Sequence, residues 1–388
     1  MREIGEVCKI SRSSVSADDI SDGTYYVGLE HIDGNGNVKG VHIAEGELNS
    51  NKFKFKDGDI LYGKLRPYLR KIAIAECEGI CSTDIIPVRV GNKANAKYIK
   101  YLLRSEQLVR YANSRTSGAN LPRISPKEIA KLKIPLPPLP VQRRIAAALD
   151  LADRQRQLLR AEIAAYGELG ESLFLEMFGD PVTNPKGWNT VSLGGQLDFL
   201  TSGSRGWAKH YSTEGDLFLR IQNVGYDDLR LADLQKVQAP KSQEAIRTTV
   251  QKGDIVLSIT ADLGRTAVIP NNLPKAYINQ HLALLRLNKL QSPKFVSSYI
   301  ASKGGQTLFK RLDKGGVKAG LNFTDIKSYK LYDVPLAKQM EYVRRIQKIE
   351  ALKAQAETAL AEADDLFNAL LQRAFRGELF KERVADRV

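Results

Sequence analysis

The chain has 388 residues, with 58 lysines and arginines against 44 aspartates and glutamates, for a formal net charge of +14. Its 43% hydrophobic and 26% charged residues exclude wholesale disorder, and its length exceeds one ordinary domain. No stretch approaches the roughly 18 apolar residues of a membrane span, and the start, MREIGEVCKISRS, lacks the apolar run of a signal peptide, so a cytoplasmic protein with no membrane partner is expected. Cys8, Cys77 and Cys81 are too few for a disulfide framework, and no second cysteine pair accompanies Cys77 and Cys81 as a structural zinc would require.

Four segments are expected: 1–140, 141–187, 188–337 and 338–388, with net charges of +6, −1, +8 and +1. Two long basic stretches thus alternate with two short, nearly neutral ones, as suits two similar bodies gripping one polyanion. In the first, Asp33-Gly-Asn-Gly-Asn reads as a turn, and Asp59-Ile-Leu-Tyr and Ile72-Ala-Ile-Ala read as strands. Ser125-Pro-Lys-Glu128 supplies a cap, an N1 proline and an acidic first turn, so a short helix begins there. The segment ends in Pro138-Leu-Pro-Val-Gln142.

From Ile145 the apolar positions Ile145, Leu149, Ala152, Leu159, Ile163, Tyr166, Gly170, Leu173 and Met177 follow a four-three rhythm, that of a long helix with one partnered face. Arg156 interrupts this stripe and is read as a marker of register.

The third and fourth segments repeat the first two. Pro335-Leu-Ala-Lys-Gln339 repeats Pro138–Gln142 at an offset of 197, which also pairs Arg89 with Arg286, Ser105 with Ser302 and Gly118 with Gly315. Gly58-Asp59-Ile60 matches Gly253-Asp254-Ile255 at 195. The second stripe carries Ile346, Ile349, Leu360, Phe367 and Leu370, with Lys353 in the place of Arg156. The fold expected is α+β: two similar mixed α/β domains joined by a pair of long antiparallel coiled-coil helices with pseudo-twofold symmetry. The helix-pair interface is assigned to Ile145, Leu149, Leu159, Ile163, Leu173, Ile346, Ile349, Leu360, Phe367 and Leu370.

The run LPPLPVQRRI, the long helix ending near LFLEMFGDP and the fresh module start Trp188-Asn-Thr-Val-Ser-Leu-Gly together resemble the specificity subunits of type I restriction-modification systems, over essentially the whole chain. The resemblance implies a non-catalytic adaptor whose two target-recognition domains each read half of a split, asymmetric double-stranded DNA sequence, while the helices set the spacer. It also implies two adenine methyltransferase subunits as partners, S-adenosylmethionine bound on those subunits rather than here, and restriction subunits in the full complex. The residues agree with the negative part: no methylase, phosphate-loop or His-Glu-x-x-His motif occurs, and no catalytic or metal site is assigned.

DNA recognition needs cations for phosphates and forked or amide side chains for base edges. In the first copy the candidates are Lys64, Arg66, Tyr68 and Arg70, after a strand, and Arg115, Ser117 and Asn120 in a polar run. In the second they are Ser204, Arg205, Trp207 and Lys209, with Lys314 and Lys318 in a glycine-rich loop. Tyr25, Tyr26 and Tyr62 could stack on bases, although aromatics at strand positions are more often core, and Gln222, Asn223, Asn279, Gln280 and His281 could hydrogen-bond adenines. A rival reading makes the protein an endonuclease with Asp59 and Asp254 as catalytic carboxylates, against the turn chemistry that Gly-Asp ordinarily signals.

Overall fold

The computed structural model describes residues 1–313 and 320–380. It forms two compact units, one made of Met1–Arg160 together with the chain from Glu357, the other of Ala161–Ala356. Each holds one copy of the repeated module and one stretch of each long helix.

The two modules share a skeleton. In the first, an antiparallel sheet orders Cys8–Ile10, Ile85–Val90, Ile60–Gly63 and Ile72–Ile74. In the second, Leu197–Ser202, Leu282–Leu287, Ile255–Ser258 and Thr266–Val268 stand in the same order. The central registers correspond too: Ile60 faces Val88 as Ile255 faces Leu285. These central strands are buried, so they read as continuous apolar runs rather than as alternation.

One ion pair recurs inside each sheet. Arg89 donates to both carboxylate oxygens of Asp59 at 2.9 and 2.7 Å, and Arg286 to both of Asp254 at 2.8 and 2.8 Å. Asp59 also accepts the Lys56 amide, and Asp254 the Gln251 amide, closing the turn before each strand. Both aspartates are 1% exposed and fully engaged as hydrogen-bond acceptors, so neither is presented as a catalytic carboxylate.

Module ends are tied to module starts. Arg2–Glu3 pairs with Lys133–Ile134 and Thr190–Ser192 with Lys330–Tyr332, which holds each exit against its own entry strand. Ser125 and Asn322 cap the short helices Pro126–Ala130 and Phe323–Ser328, as their sequences predict.

The proline–glutamine exit acquires a physical role. Gln142 donates to the Lys93 and Pro137 carbonyls and accepts the amide of Asn95, the cap of helix Ala96–Leu103. Gln339 donates to Val334 and Gln291 and accepts the amide of Ser292, the cap of helix Pro293–Ala301. Both glutamines are completely buried. Each therefore fastens the first turn of a long helix to the cap of a module helix. The replacement of proline by Ala337-Lys338 leaves this intact, since the two long helices, Leu139–Phe178 and Leu336–Phe375, begin at matched residues.

Each long helix has 40 residues, about 60 Å at 1.5 Å per residue. The helices end earlier than the segments 141–187 and 338–388: Gly179 stops the first in a left-handed conformation at φ 82°, and the chain from 179 to 187 is turn. Within the first unit Ile145, Ala146 and Leu149 share a core with Leu371 and Ala374, and Arg156 pairs with Asp153 and Asp364 while its guanidinium lies 4.2 Å from the Phe367 ring centre. Within the second, Phe174 and Phe178 pack edge-on against Tyr342. In both units the contacts run antiparallel. Among the interface candidates, Ile145, Leu149, Leu173 and Ile346 are buried, while Leu159, Ile163, Ile349, Leu360, Phe367 and Leu370 are half-buried.

The modules differ in their second sheet. Both keep a parallel pair, Tyr25–Val27 with Gly79–Cys81 and Asp216–Leu219 with Ala276–Ile278. In the first module Lys52–Phe55 adds a full strand beside Gly79–Cys81. In the second that edge meets a single bridge, Thr249 to Tyr277, following helix Gln243–Thr248.

Candidate nucleic-acid interface

In the first module strand Ile60–Gly63 runs into the turn 64–71, which is gathered at its base by the Gly63 amide on the Lys71 carbonyl. Arg66 and Arg70 both take left-handed backbone, φ 50° and 53°, unusual for arginine and a conformation that the surrounding bonds must enforce. The Arg66 amide binds Pro122 at 2.8 Å, its guanidinium reaches the Asn120 carbonyl at 3.5 Å, and the Ile124 amide binds Lys64 at 3.0 Å. These bonds stitch the turn to the hairpin of Thr116–Ser117 and Arg123–Ile124. The two candidate runs, about fifty residues apart in sequence, thus become one surface. Tyr68 is 52% exposed there, Arg115, Ser117 and Asn120 are exposed, and Arg115 lies 5.4 Å from the Tyr111 ring centre.

Lys64 also has a partner within the module. Its ammonium lies 3.7 Å from Asp84, which also accepts two bonds from Arg123 at 2.8 and 3.0 Å. Arg123 holds the Asp84 carboxyl below the usual carboxylate range. Two cations share this one carboxylate, so Lys64 braces the turn while a net positive charge remains there.

In the second module Arg205 and Lys209 are exposed, beside Gly206 at φ 87°. Ser204 accepts a bond from Arg247 at 2.8 Å. Trp207 is corrected: it is 4% exposed, stacked on Phe218 at 5.1 Å, and its indole donates to Glu244 at 2.7 Å, so it offers no face for a base. Its position beside glycine and cations looked like a loop, but its ring closes a core cluster with Val237 and Tyr277. Lys314 and Lys318 lie outside the described residues, as does Gly315.

Several polar candidates are spent internally. Asn223 is buried, accepting the Arg220 amide and donating to Arg230 and Ala232. Asn279 accepts the His281 amide, His281 shares a 2.6 Å bond with Thr260, and Tyr62 is a core residue. Gln222 is exposed.

Two positions escaped the sequence reading. Arg247, on helix Gln243–Thr248, orders the 201–204 loop through Thr201, the Ser202 carbonyl and Ser204. No spacing announces it. Arg265 belongs to the turn that corresponds to 64–71, and it is held by Asp262 at 2.6 Å while Asp262 accepts the Tyr226 hydroxyl at 3.0 Å. Ala261, at φ 63°, stands where Arg66 stands in the first module. The Gly-Asp-Ile match at offset 195 pointed to this turn, but the turn itself, Thr260-Ala-Asp-Leu-Gly-Arg265, lacks the basic density of its counterpart.

Among the described residues no helix is long and apolar enough to cross a membrane. The model of the type I restriction modification DNA specificity domain matches residues 1–165 and again 185–362. The EcoKI specificity subunit of Escherichia coli K12 is 26% identical over 307 residues, 73% of this chain and 65% of that protein. The EcoDI specificity subunit of Escherichia coli is 29% identical over 166 residues, 41% of this chain and 37% of that protein. The matches thus span between about a third and two thirds of those relatives' lengths. A chain from a study of complex assembly and conformational transition of the type I R-M system superposes with a TM-score of 0.57 and 25% identity, covering 97% of both chains. The S subunit from M. genitalium shares the fold at a TM-score of 0.60 and 14% identity, covering 96% of this chain and 95% of that one. With the domain matched twice, over two modules built on one skeleton, the chain belongs to the family of type I restriction-modification DNA specificity proteins.

Proposed function

We propose that this chain is the sequence-specific DNA-binding subunit of a type I restriction-modification complex, and that it carries no catalytic centre of its own. The observation that supports this most is a duplicated framework with unlike loops: the Asp59–Arg89 and Asp254–Arg286 pairs superpose in role, while the turns they support carry different chemistry. A binder of a two-part asymmetric target needs that combination, one scaffold used twice with different readers. The first module reads one half-site through Arg66, Tyr68, Arg70, Arg115, Ser117 and Asn120. The second reads the other through Arg205, Lys209 and Arg265, with Ser204 positioned by Arg247 and Lys314 and Lys318 as further cations.

The long helices set the gap between half-sites and dock two adenine methyltransferase subunits, which bring S-adenosylmethionine; restriction subunits join the full complex, in the cytoplasm. The helices' outward residues include Leu151, Leu158, Leu352 and Leu366, between 46 and 72% exposed, the apolar surface that such docking would cover. The endonuclease alternative has little support, because Asp59 and Asp254 are sealed by arginines.

The test is selection from a random duplex pool by the chain assembled with its methyltransferase subunits, together with genome-wide mapping of methylated adenines in strains with and without the system. Two short unlike motifs at a fixed gap are expected. A single continuous motif, or none, overturns the proposal, and cleavage of DNA by the isolated chain with magnesium would revive the endonuclease.

A further inference from the structure

A cleft of about 650 Å³ lies in the first unit, beside the turn that carries Arg66 and Tyr68. Five arginines line it: Arg70, Arg104, Arg110, Arg156 and Arg376. They come from five places in the chain: the turn, the end of helix Ala96–Leu103, helix Glu106–Ser114, the first long helix, and the residue just after the second. Glu106 is the one acidic lining residue, and it pairs with Arg110 at 2.9 Å. Arg156 is taken up by Asp153 and Asp364. Among the described residues no ion pair takes up Arg70, Arg104 or Arg376.

Arg104 makes the imbalance plain. Its guanidinium donates to the Asn35 carbonyl and to the Gly34 carbonyl, the latter at 2.6 Å, both neutral partners. Burial holds it below the usual arginine range, while Asp153 and Asp33 act on its charge from beyond pairing distance. Gathering cations in a partly closed site disfavours every one of them unless an anion enters. The framework does not demand the cluster. At the offset of 197, Arg104 and Arg110 correspond to Ala301 and Thr307, and Arg376 to Gly179, so the second unit lacks it.

We infer that this cleft binds a phosphate group of the DNA backbone, outside the bases that the first module reads. This rests on the DNA-binding role proposed above. Arg70 gives the connection: it shares a single turn with Arg66 and Tyr68 and also lines the cleft, so a strand crossing that turn passes from one to the other. A phosphate contact adds affinity without adding sequence preference and releases counterions, which makes it visible in the salt dependence.

The test uses the full chain with Arg376→Gln, an exposed change beyond the helix end, and Arg376→Lys as charge-retaining control. Binding to a random-sequence duplex is titrated against salt. For each phosphate that the variant no longer neutralises, the log–log slope becomes shallower by about 0.9, so the wild-type advantage shrinks about three- to fourfold between about 50 and 200 mM salt. Arg376→Lys restores the slope, and base preference on a selected target stays unchanged. Arg70→Gln and Arg104→Gln should move the slope in the same sense. An unchanged slope in Arg376→Gln, with wild type binding DNA normally, overturns this inference and leaves the proposed function standing. A wild type with no salt-sensitive binding overturns both. A thermal shift with inorganic pyrophosphate in wild type, absent in Arg376→Gln and accompanied by equal DNA slopes, assigns the cleft to a free phosphate instead and overturns the DNA reading.

Discussion

The two recognition modules agree where they bury charge and differ where they meet solvent. Their central sheets share strand order, register and a buried carboxylate held by an arginine, and their exits share a buried glutamine. Their outer sheets and loops do not: the first module has a strand at Lys52–Phe55 where the second has a helix at Gln243–Thr248, and an arginine-rich turn where the second has one with Asp262 and Arg265. A buried charge or amide must keep every partner, so its surroundings are held together as a set. Exposed turns carry no such constraint and are free to diverge into different readers.

This comparison breaks most sharply at the ion pairs. Asp254→Ala and Asp59→Ala each remove two charge-assisted bonds and the acceptor of a turn amide, and should destabilise their own unit by about 2 to 3 kcal/mol, measured by denaturant unfolding. A change below about 0.5 kcal/mol in either would show that the pair is not the common anchor. Gln339→Ala and Gln142→Ala come next, at about 1 to 3 kcal/mol, since each strands a cap amide without its acceptor. The effect should be larger for Gln339, whose partners include the buried Gln291, and hydrogen exchange at the first turn of each long helix should report it.

The loops should answer separately. Arg66→Ala should relax base preference in one half-site and Arg265→Ala in the other, each by about 1 to 3 kcal/mol at one position. Loss at both halves from one substitution would contradict a division of labour. The smallest effect sharpens the correction at Trp207: Trp207→Phe should cost about 1 kcal/mol of stability through the missing bond to Glu244 and leave base preference untouched. Altered preference would return this residue to the interface.

The duplication, the long helices and the short capped helices were legible because each repeats a local physical pattern: heptad spacing, a capping residue, a motif at a constant offset. Trp207 and Asn223 misled for one reason. Both sit in polar, glycine-bearing or loop-like sequence, yet both turn inward: the Trp207 indole to distant Glu244, and the Asn223 amide to the carbonyls of its own loop at Arg230 and Ala232. The ion partner of Lys64 was not legible either, since only folding brings Asp84 beside it.

By itself the sequence determined that two copies of one module alternate with two amphipathic helices, because periodicity and repetition are properties of the chain read in order. Tertiary structure decided which cations are already neutralised, which are free, and which distant runs share a surface. Pairing depends on distance in space, and that Arg66 reaches Asn120, or that Arg70 and Arg376 line one cleft, is encoded by no spacing along the chain.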